Sequence, residues 1–142
     1  MPEVFSFERR VEFCETDAAG IVHFSAYTCY MEQAEHAFWR HLGASVMQPM
    51  GGGFHLGWPR VHVECDFQGA AKFEQVLHIK LSLLKLGSKS VEFGFGFHHT
   101  EKQIATGKIV AVCCQVAKDK PLKSVDIPAD LRSKLLPYLI EN

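Results

Sequence analysis

An α+β domain, with one antiparallel sheet curled around a single long helix, is the fold class this sequence predicts. Three observations lead there. One long segment with helical spacing stands near the N-terminus, residues 26–43. Strand after strand follows it, joined by turns too short for crossovers. The chain then closes on a short helical tail, and a long helix with a broad apolar face needs something wrapped around it.

Each element has its own local reason. "VFSFERRVEF", residues 4–13, alternates well enough for a strand, with Val4, Val11 and Phe13 flanking charged positions. "CETDAAGIVHF" is the turn after it. Ser25 is a good N-cap, and "AYTCYMEQAEHAFWRHLG" then places Tyr27, Tyr30, Met31, Ala34, Phe38 and Leu42 at helical spacing, with Gly43 as the C-cap candidate. "QPMGGGFHLGWPR", residues 48–60, is expected to be a mobile loop whose exposed Phe54, His55 and Trp58 line a pocket or simply move. "RVHVECDFQ", "QVLHIKLSLLKLG", "KSVEFGFGFHHTE" and "QIATGKIVAVCCQVAK" read as four strands in a meander. Phe93, Phe95 and Phe97 share one face, opposite a bare face at Gly94 and Gly96 where another surface approaches or the sheet curls. "IPADLRSKLLPYLIEN" is a short helix with Pro128 near its first turn.

The bulk numbers exclude several classes. At 142 residues the chain is one domain with no need of a disulfide or metal staple. Fifteen basic residues stand against 16 acidic ones, so there is no field to attract nucleic acid or an acidic membrane. The first residues lack a signal-peptide layout and no window reaches membrane-spanning length, so a cytoplasmic location is expected. The five cysteines, at 14, 29, 65, 113 and 114, form no CxxC pair and are expected reduced and mostly buried.

The string "ETDAAGIVHF", residues 15–24, carries the chemistry. A carboxylate at Asp17, a flexible Gly20 and a helix start supply, within eight residues, a base or nucleophile and a set of free backbone N–H groups. On spacing alone Asp17 is either a turn residue or a reagent. The longer string "TDAAGIVHFSAYTCYMEQAEHAFW", with "VECDFQGAAKFEQVLHI", "LGSKSVEFGFGF" and "IATGKIVAV" downstream, resembles the hotdog-fold acyl-CoA thioesterases, above all the 4-hydroxybenzoyl-CoA thioesterase family. The resemblance spans roughly residues 5 to 130.

It implies a hotdog fold, dimers formed by joining two sheets edge to edge, and active sites at the subunit interface. It implies that Asp17 is the catalytic carboxylate, as nucleophile or general base, and that the Phe24 backbone N–H polarises the thioester carbonyl. His23 stands where many relatives carry Tyr or Trp; it either hydrogen-bonds the thioester or its sulfur, or satisfies the turn. Gly20 lets the backbone approach the ligand. Glu32 matches a helix position where relatives carry an acid that meets a substrate hydroxyl, though a solvated helix acid is the commoner role for such a residue. Trp58 in the Gly-rich loop is a candidate for the acyl pocket. Lys89 and Ser90, in the turn "LGSKS", match residues that help hold coenzyme A phosphates, or form a plain solvated turn. Arg60 and the lysines of "KDKPLK" are weaker candidates.

The expected partner is an acyl-CoA substrate, the expected assembly a homodimer or homotetramer, and no cofactor or metal is expected. HExxH lacks its second histidine, and His98 and His99 diverge along a strand. A Cys14–His23 or Cys29–His23 nucleophile is outweighed by the reading of these thiols as structural, and no Gly-x-Ser-x-Gly elbow exists. Two other functions remain open at this point: an acyl-CoA hydratase of the same fold, and a non-catalytic acyl-binding module in which Asp17 has no chemical task.

Overall fold

The computed structural model describes residues 1–140, so the last two residues of the predicted tail lie outside it. Nine strands and two helices follow in order: β1 (Phe5–Arg10), α1 (Ala26–His41), β2 (Met47–Gly51), β3 (Phe54–Gly57), β4 (Arg60–Phe67), β5 (Val76–Leu86), β6 (Ser90–His99), β7 (Lys102–Val112), β8 (Cys114–Ala117), β9 (Lys123–Ser124) and α2 (Ala129–Leu135). One five-stranded antiparallel sheet, ordered β1-β5-β6-β7-β4, packs its inner face on α1, as the fold-class reading expects.

The helix is built as its spacing predicts. Tyr27, Tyr30, Met31, Ala34, Phe38 and Trp39 are all buried. Its C-terminus closes with Gly43 in the left-handed region (φ +76), where the Gly43 N–H donates to Arg40 O at 3.0 Å and the Ala44 N–H to Trp39 O at 2.9 Å. Those bonds satisfy carbonyls that would otherwise be orphaned at the helix end. Phe38 meets Tyr138 edge-on at 4.9 Å, which seats the C-terminal segment under the helix.

Four expectations need correction. The first strand ends at Arg10, and Phe13–Glu15 form a turn of 3-10 helix instead of continuing it. The last four strands are not a simple meander: β5, β6 and β7 are sequential neighbours, but β4 pairs with β7 at the far edge while β1 takes the place beside β5. Residues 48–60 are not a loop. Up to Gly57 they form the β2–β3 hairpin, turning through Gly51, Gly52 and Gly53, all at positive φ, and β3 goes on to pair with β8 in a second sheet ordered β2-β3-β8-β9. Finally, only Cys113 and Cys114 are buried; Cys65 is half-buried, and Cys14 and Cys29 are exposed, all five as free thiols.

Phe93, Phe95 and Phe97 point into the core, as their alternation predicts. The opposite face is less bare than the glycines suggest, because Leu84 from β5 lies over Gly94, where an added Cβ would come within 2.9 Å of it. Gly107 on β7 faces the other way, toward α1, and a Cβ there would collide with the sulfur of the fully buried Met31. Gly107→Ala is therefore expected to destabilise the protein by ~1–3 kcal/mol, the usual cost of overpacking a filled core. Thermal melting should show the transition lowered by several degrees; an unchanged midpoint would mean that the helix and sheet are not in such close contact there.

Candidate active site

The segment from Glu15 to Phe24 is a closed loop between the 3-10 turn and α1. Its two limbs are pinned to each other: Thr16 and Val22 form an antiparallel bridge, the Asp17 N–H donates to Ile21 O at 2.9 Å, and the His23 N–H donates to Glu15 O at 2.8 Å. The Gly20 N–H closes a turn on Asp17 O at 2.9 Å, with Gly20 at φ +80, a conformation that side-chain-bearing residues rarely adopt. No atom lies within 4 Å of where a Gly20 Cβ would sit, so the backbone conformation, and not crowding, is what asks for glycine. The Val22 N–H anchors the loop to Ala71 O at 2.8 Å.

Asp17 divides its carboxylate between two tasks. Oδ1 accepts the Ala19 N–H at 2.9 Å and the Ile21 N–H at 3.4 Å, a side-chain turn of the kind aspartate favours. Oδ2 has no hydrogen-bond partner among the described residues. Seven positions on, the Phe24 N–H likewise donates to no group among the described residues, while the first amides of the helix region, Ala26 and Tyr27, donate back to His23 O and Phe24 O. Ser25 stands at the N-cap position but caps nothing: its hydroxyl lies 2.7 Å from His23 Nδ1, and its own N–H donates to that nitrogen at 3.2 Å. With Nδ1 acting as acceptor, the neutral His23 ring carries its proton on Nε2.

Below the loop lies a polar cluster that the sequence does not announce. Glu15 accepts hydrogen bonds from the hydroxyl of Tyr30 (2.8 Å), the backbone N–H of Glu12 (2.8 Å) and both terminal nitrogens of Arg9. Arg9 also donates from Nε to Gln33 Oε1 at 2.8 Å and lies 5.0 Å over the Tyr30 ring. Burial first, and the bond to Glu15 second, hold the Tyr30 phenol well above its ordinary pKa, so it stays a donor. Nothing in "CETD" distinguishes Glu15 from a solvated turn acid, since its partners come from elsewhere in the chain.

The other candidates fall in two further places. Glu32 and Trp58, together with His36 and Arg60, line a cleft of about 370 Å³ between α1 and the second sheet. Trp58 is not the exposed loop aromatic expected from the sequence: it is buried, stacked on Trp39 with ring centroids 4.7 Å apart. Along α1, at 1.5 Å per residue, Glu32 stands about 12 Å from Phe24. Lys89 and Ser90 lie at the β5–β6 turn, where Lys89 Nζ pairs with Asp126 Oδ1 at 2.7 Å. The Asp17 loop is anchored through Val22 to Ala71, in the segment that leads into the opposite end of β5, so on the order of 30 Å of strand separates the two, at about 3.3 Å per residue. A single chain does not bring Lys89 and Ser90 to Asp17.

The sequence reading also passes over Glu35, which is completely buried. Its Oε2 accepts the Trp39 Nε1–H at 3.0 Å and pairs with Arg60, whose Nη1 donates to Trp58 O at 2.9 Å. Its signal was its position: four residues after Met31 and three before Phe38, it falls on the buried stripe. Among the described residues, no group of three His, Cys, Asp or Glu side chains is placed to hold a metal ion.

An antiparallel sheet wrapped on one long helix is the arrangement of the hotdog fold. Comparison with known proteins agrees: residues 11–135 match the Thioesterase-like superfamily, and the chain belongs to that family. A protein of Aquifex aeolicus (strain VF5) is 33% identical over 129 residues, 89% of this chain and 94% of its own. The 1,4-dihydroxy-2-naphthoyl-CoA hydrolase of Synechococcus elongatus (strain ATCC 33912 / PCC 7942 / FACHB-805) is 26% identical over 111 residues, 78% of this chain and 82% of its own. Among solved structures, the dynemicin thioesterase, described in its complexes with a polyene, superposes with a TM-score of 0.87 at 21% identity, covering 99% of this chain and 100% of that one.

Proposed function

We propose that the protein hydrolyses a coenzyme A thioester of an aryl or short compact acyl group, with Asp17 as its catalytic carboxylate. The observation that carries this reading is the divided carboxylate: one oxygen of Asp17 holds the loop, the other is unclaimed, and the Phe24 N–H at the start of α1 is unclaimed with it. The thioester oxygen accepts from the Phe24 N–H, where the helix N-terminus favours the negative charge that develops as the carbonyl is attacked. Oδ2 then either attacks the carbonyl carbon, giving a mixed anhydride that water cleaves, or takes the proton of a water that attacks in its place. In both routes the carbon–sulfur bond breaks and coenzyme A leaves as a thiolate, with the Nε2–H of His23 as a candidate partner for the sulfur.

The aryl preference is supported by the naphthoyl-CoA hydrolase among the relatives, and by a cleft in which Glu32 offers an acceptor beside Trp58. We assign Lys89 and Ser90 to the coenzyme A phosphates of a site completed by a second copy of the chain, since they stand at the far end of β5 from Asp17 in their own. The free edge strand β4 supports such a pairing: Val61, Val63 and Phe67 lie on it exposed. The five free cysteines suit a cytoplasmic, reducing location, and no described helix is long and apolar enough to cross a membrane.

The test is thiol release from short straight-chain, long-chain, benzoyl, 4-hydroxybenzoyl and naphthoyl coenzyme A esters. Turnover is expected for aromatic or compact members of the panel; no cleavage of any of them would sink the reading. Light scattering on the active protein should give the mass of a dimer or tetramer, and full activity at the mass of a single chain would refute the shared site.

A further inference from the structure

We infer that Glu15, clamped by Tyr30 and Arg9, is the positioning residue that keeps the Asp17 carboxylate in register with the Phe24 amide. The inference rests on the role given to Asp17 above. Hydrolysis requires those two groups at a fixed separation, yet they sit at opposite ends of a loop. The loop is closed on itself by the Thr16–Val22 bridge and by the bonds from Asp17 N to Ile21 O and from His23 N to Glu15 O, so it moves as one small unit. What remains to be set is the angle of that unit, whose closing bonds end at His23, against the helix start, to which Phe24 is tied by the Tyr27 N–H donating to its carbonyl oxygen.

Glu15 sets this angle because its main chain and its side chain face different partners. Its carbonyl oxygen takes the His23 N–H, at the return limb of the loop. Its carboxylate takes the Tyr30 hydroxyl on α1, the Glu12 N–H in the 3-10 turn, and Arg9 on β1. Arg9 extends the clamp by bonding Gln33, three residues beyond Tyr30 on the same helix. Sheet, turn and helix thus converge on one carboxylate two residues before Asp17. Tyr30 is completely buried, and the loss of Glu15 would take away its hydroxyl's hydrogen-bond acceptor. Satisfied networks of this kind fix a single geometry, and a reacting group displaced by 1 Å loses on the order of 100-fold in rate.

Tyr30→Phe is the sharpest test, because it removes one donor while keeping the ring, its packing and the contact with Arg9. The expected result is a fall in kcat of about tenfold, part of the ~100-fold that a full 1 Å displacement costs, with KM changed by less than about twofold. Glu15→Gln should behave alike and serves if Tyr30→Phe folds poorly. Tyr138→Phe, a buried tyrosine under the far end of the helix, should leave kcat at the wild-type value. In an Asp17→Asn background the Tyr30→Phe loss should vanish, since residues acting as one unit are not additive. Wild-type kcat in both Tyr30→Phe and Glu15→Gln overturns the inference while leaving the role of Asp17 intact. So does a tenfold loss that persists in the Asp17→Asn background, because the network then acts elsewhere. If Asp17→Asn itself keeps the wild-type rate, the proposed function falls first and the positioning role falls with it.

Discussion

Asp17→Asn should lower kcat for the best thioester of the panel by at least ~100-fold, the scale of a positioned acid–base group, with little change in KM. Asparagine is the right substitution because its side-chain oxygen can still accept the Ala19 and Ile21 amides that Oδ1 accepts now. The loop therefore keeps its shape and loses only the anionic Oδ2. Asp17→Ala would confound two effects, since it opens the turn and removes the reagent together. Steady-state kinetics on Asp17→Asn, with circular dichroism to show the fold unchanged, checks the expectation. A variant that is folded and as fast as the wild type would make Asp17 a turn residue and nothing more. A variant that binds the acyl-CoA as tightly as before while hydrolysis stops would place the loss in the chemical step.

The largest expected loss of stability comes from Arg60→Ala. Glu35 is completely buried on α1, and Arg60 is its ionic partner. Removing the guanidinium leaves a carboxylate without its counter-charge in the core, where breaking such a pair costs about 3 kcal/mol or more. The Trp39 Nε1–H alone does not compensate, and Glu35 Oε1 already has no partner among the described residues. Urea unfolding should show the midpoint reduced by at least ~1 M, given slopes of ~1–3 kcal/mol/M. Glu35→Gln in the Arg60→Ala background should recover part of the loss, because a neutral amide tolerates that burial better. A midpoint shift under ~0.3 M would mean that the Glu35–Arg60 pair adds little to stability.

The sequence was most legible where structure is local. The start of α1, its buried stripe and its Gly43 terminus follow from spacing within a few turns, and the Asp17–Phe24 string is compact enough to be read as a unit. What resisted reading was set by distant partners. Residues 47–57 form two strands in spite of Pro49 and three successive glycines, because β8 supplies the edge on which β3 pairs. The crossing of β4 to the far side of β7 has no local signal, since β4 alternates as well beside β5 as beside β7. Glu15 and Tyr30 lie fifteen residues apart, and only the fold makes them neighbours. The family resemblance groups Lys89 and Ser90 with Asp17 at a subunit interface, but the sequence itself has no signal for which copy of the chain supplies each residue.

The tip of the β2–β3 hairpin has a consequence in terms of handedness. Gly51, Gly52 and Gly53 occupy φ values of +81, +63 and +82, the half of backbone space natural to residues of opposite chirality. Around Gly51 and Gly53 there is open space, so a side chain there would meet no neighbour and only its mirror sense would matter. An L-alanine would strain the turn, whereas a D-alanine would fit it and leave the unfolded chain fewer conformations to lose. At Gly51 and Gly53 the effect of a side chain on this hairpin is thus set by backbone handedness and the freedom of the unfolded chain, not by packing.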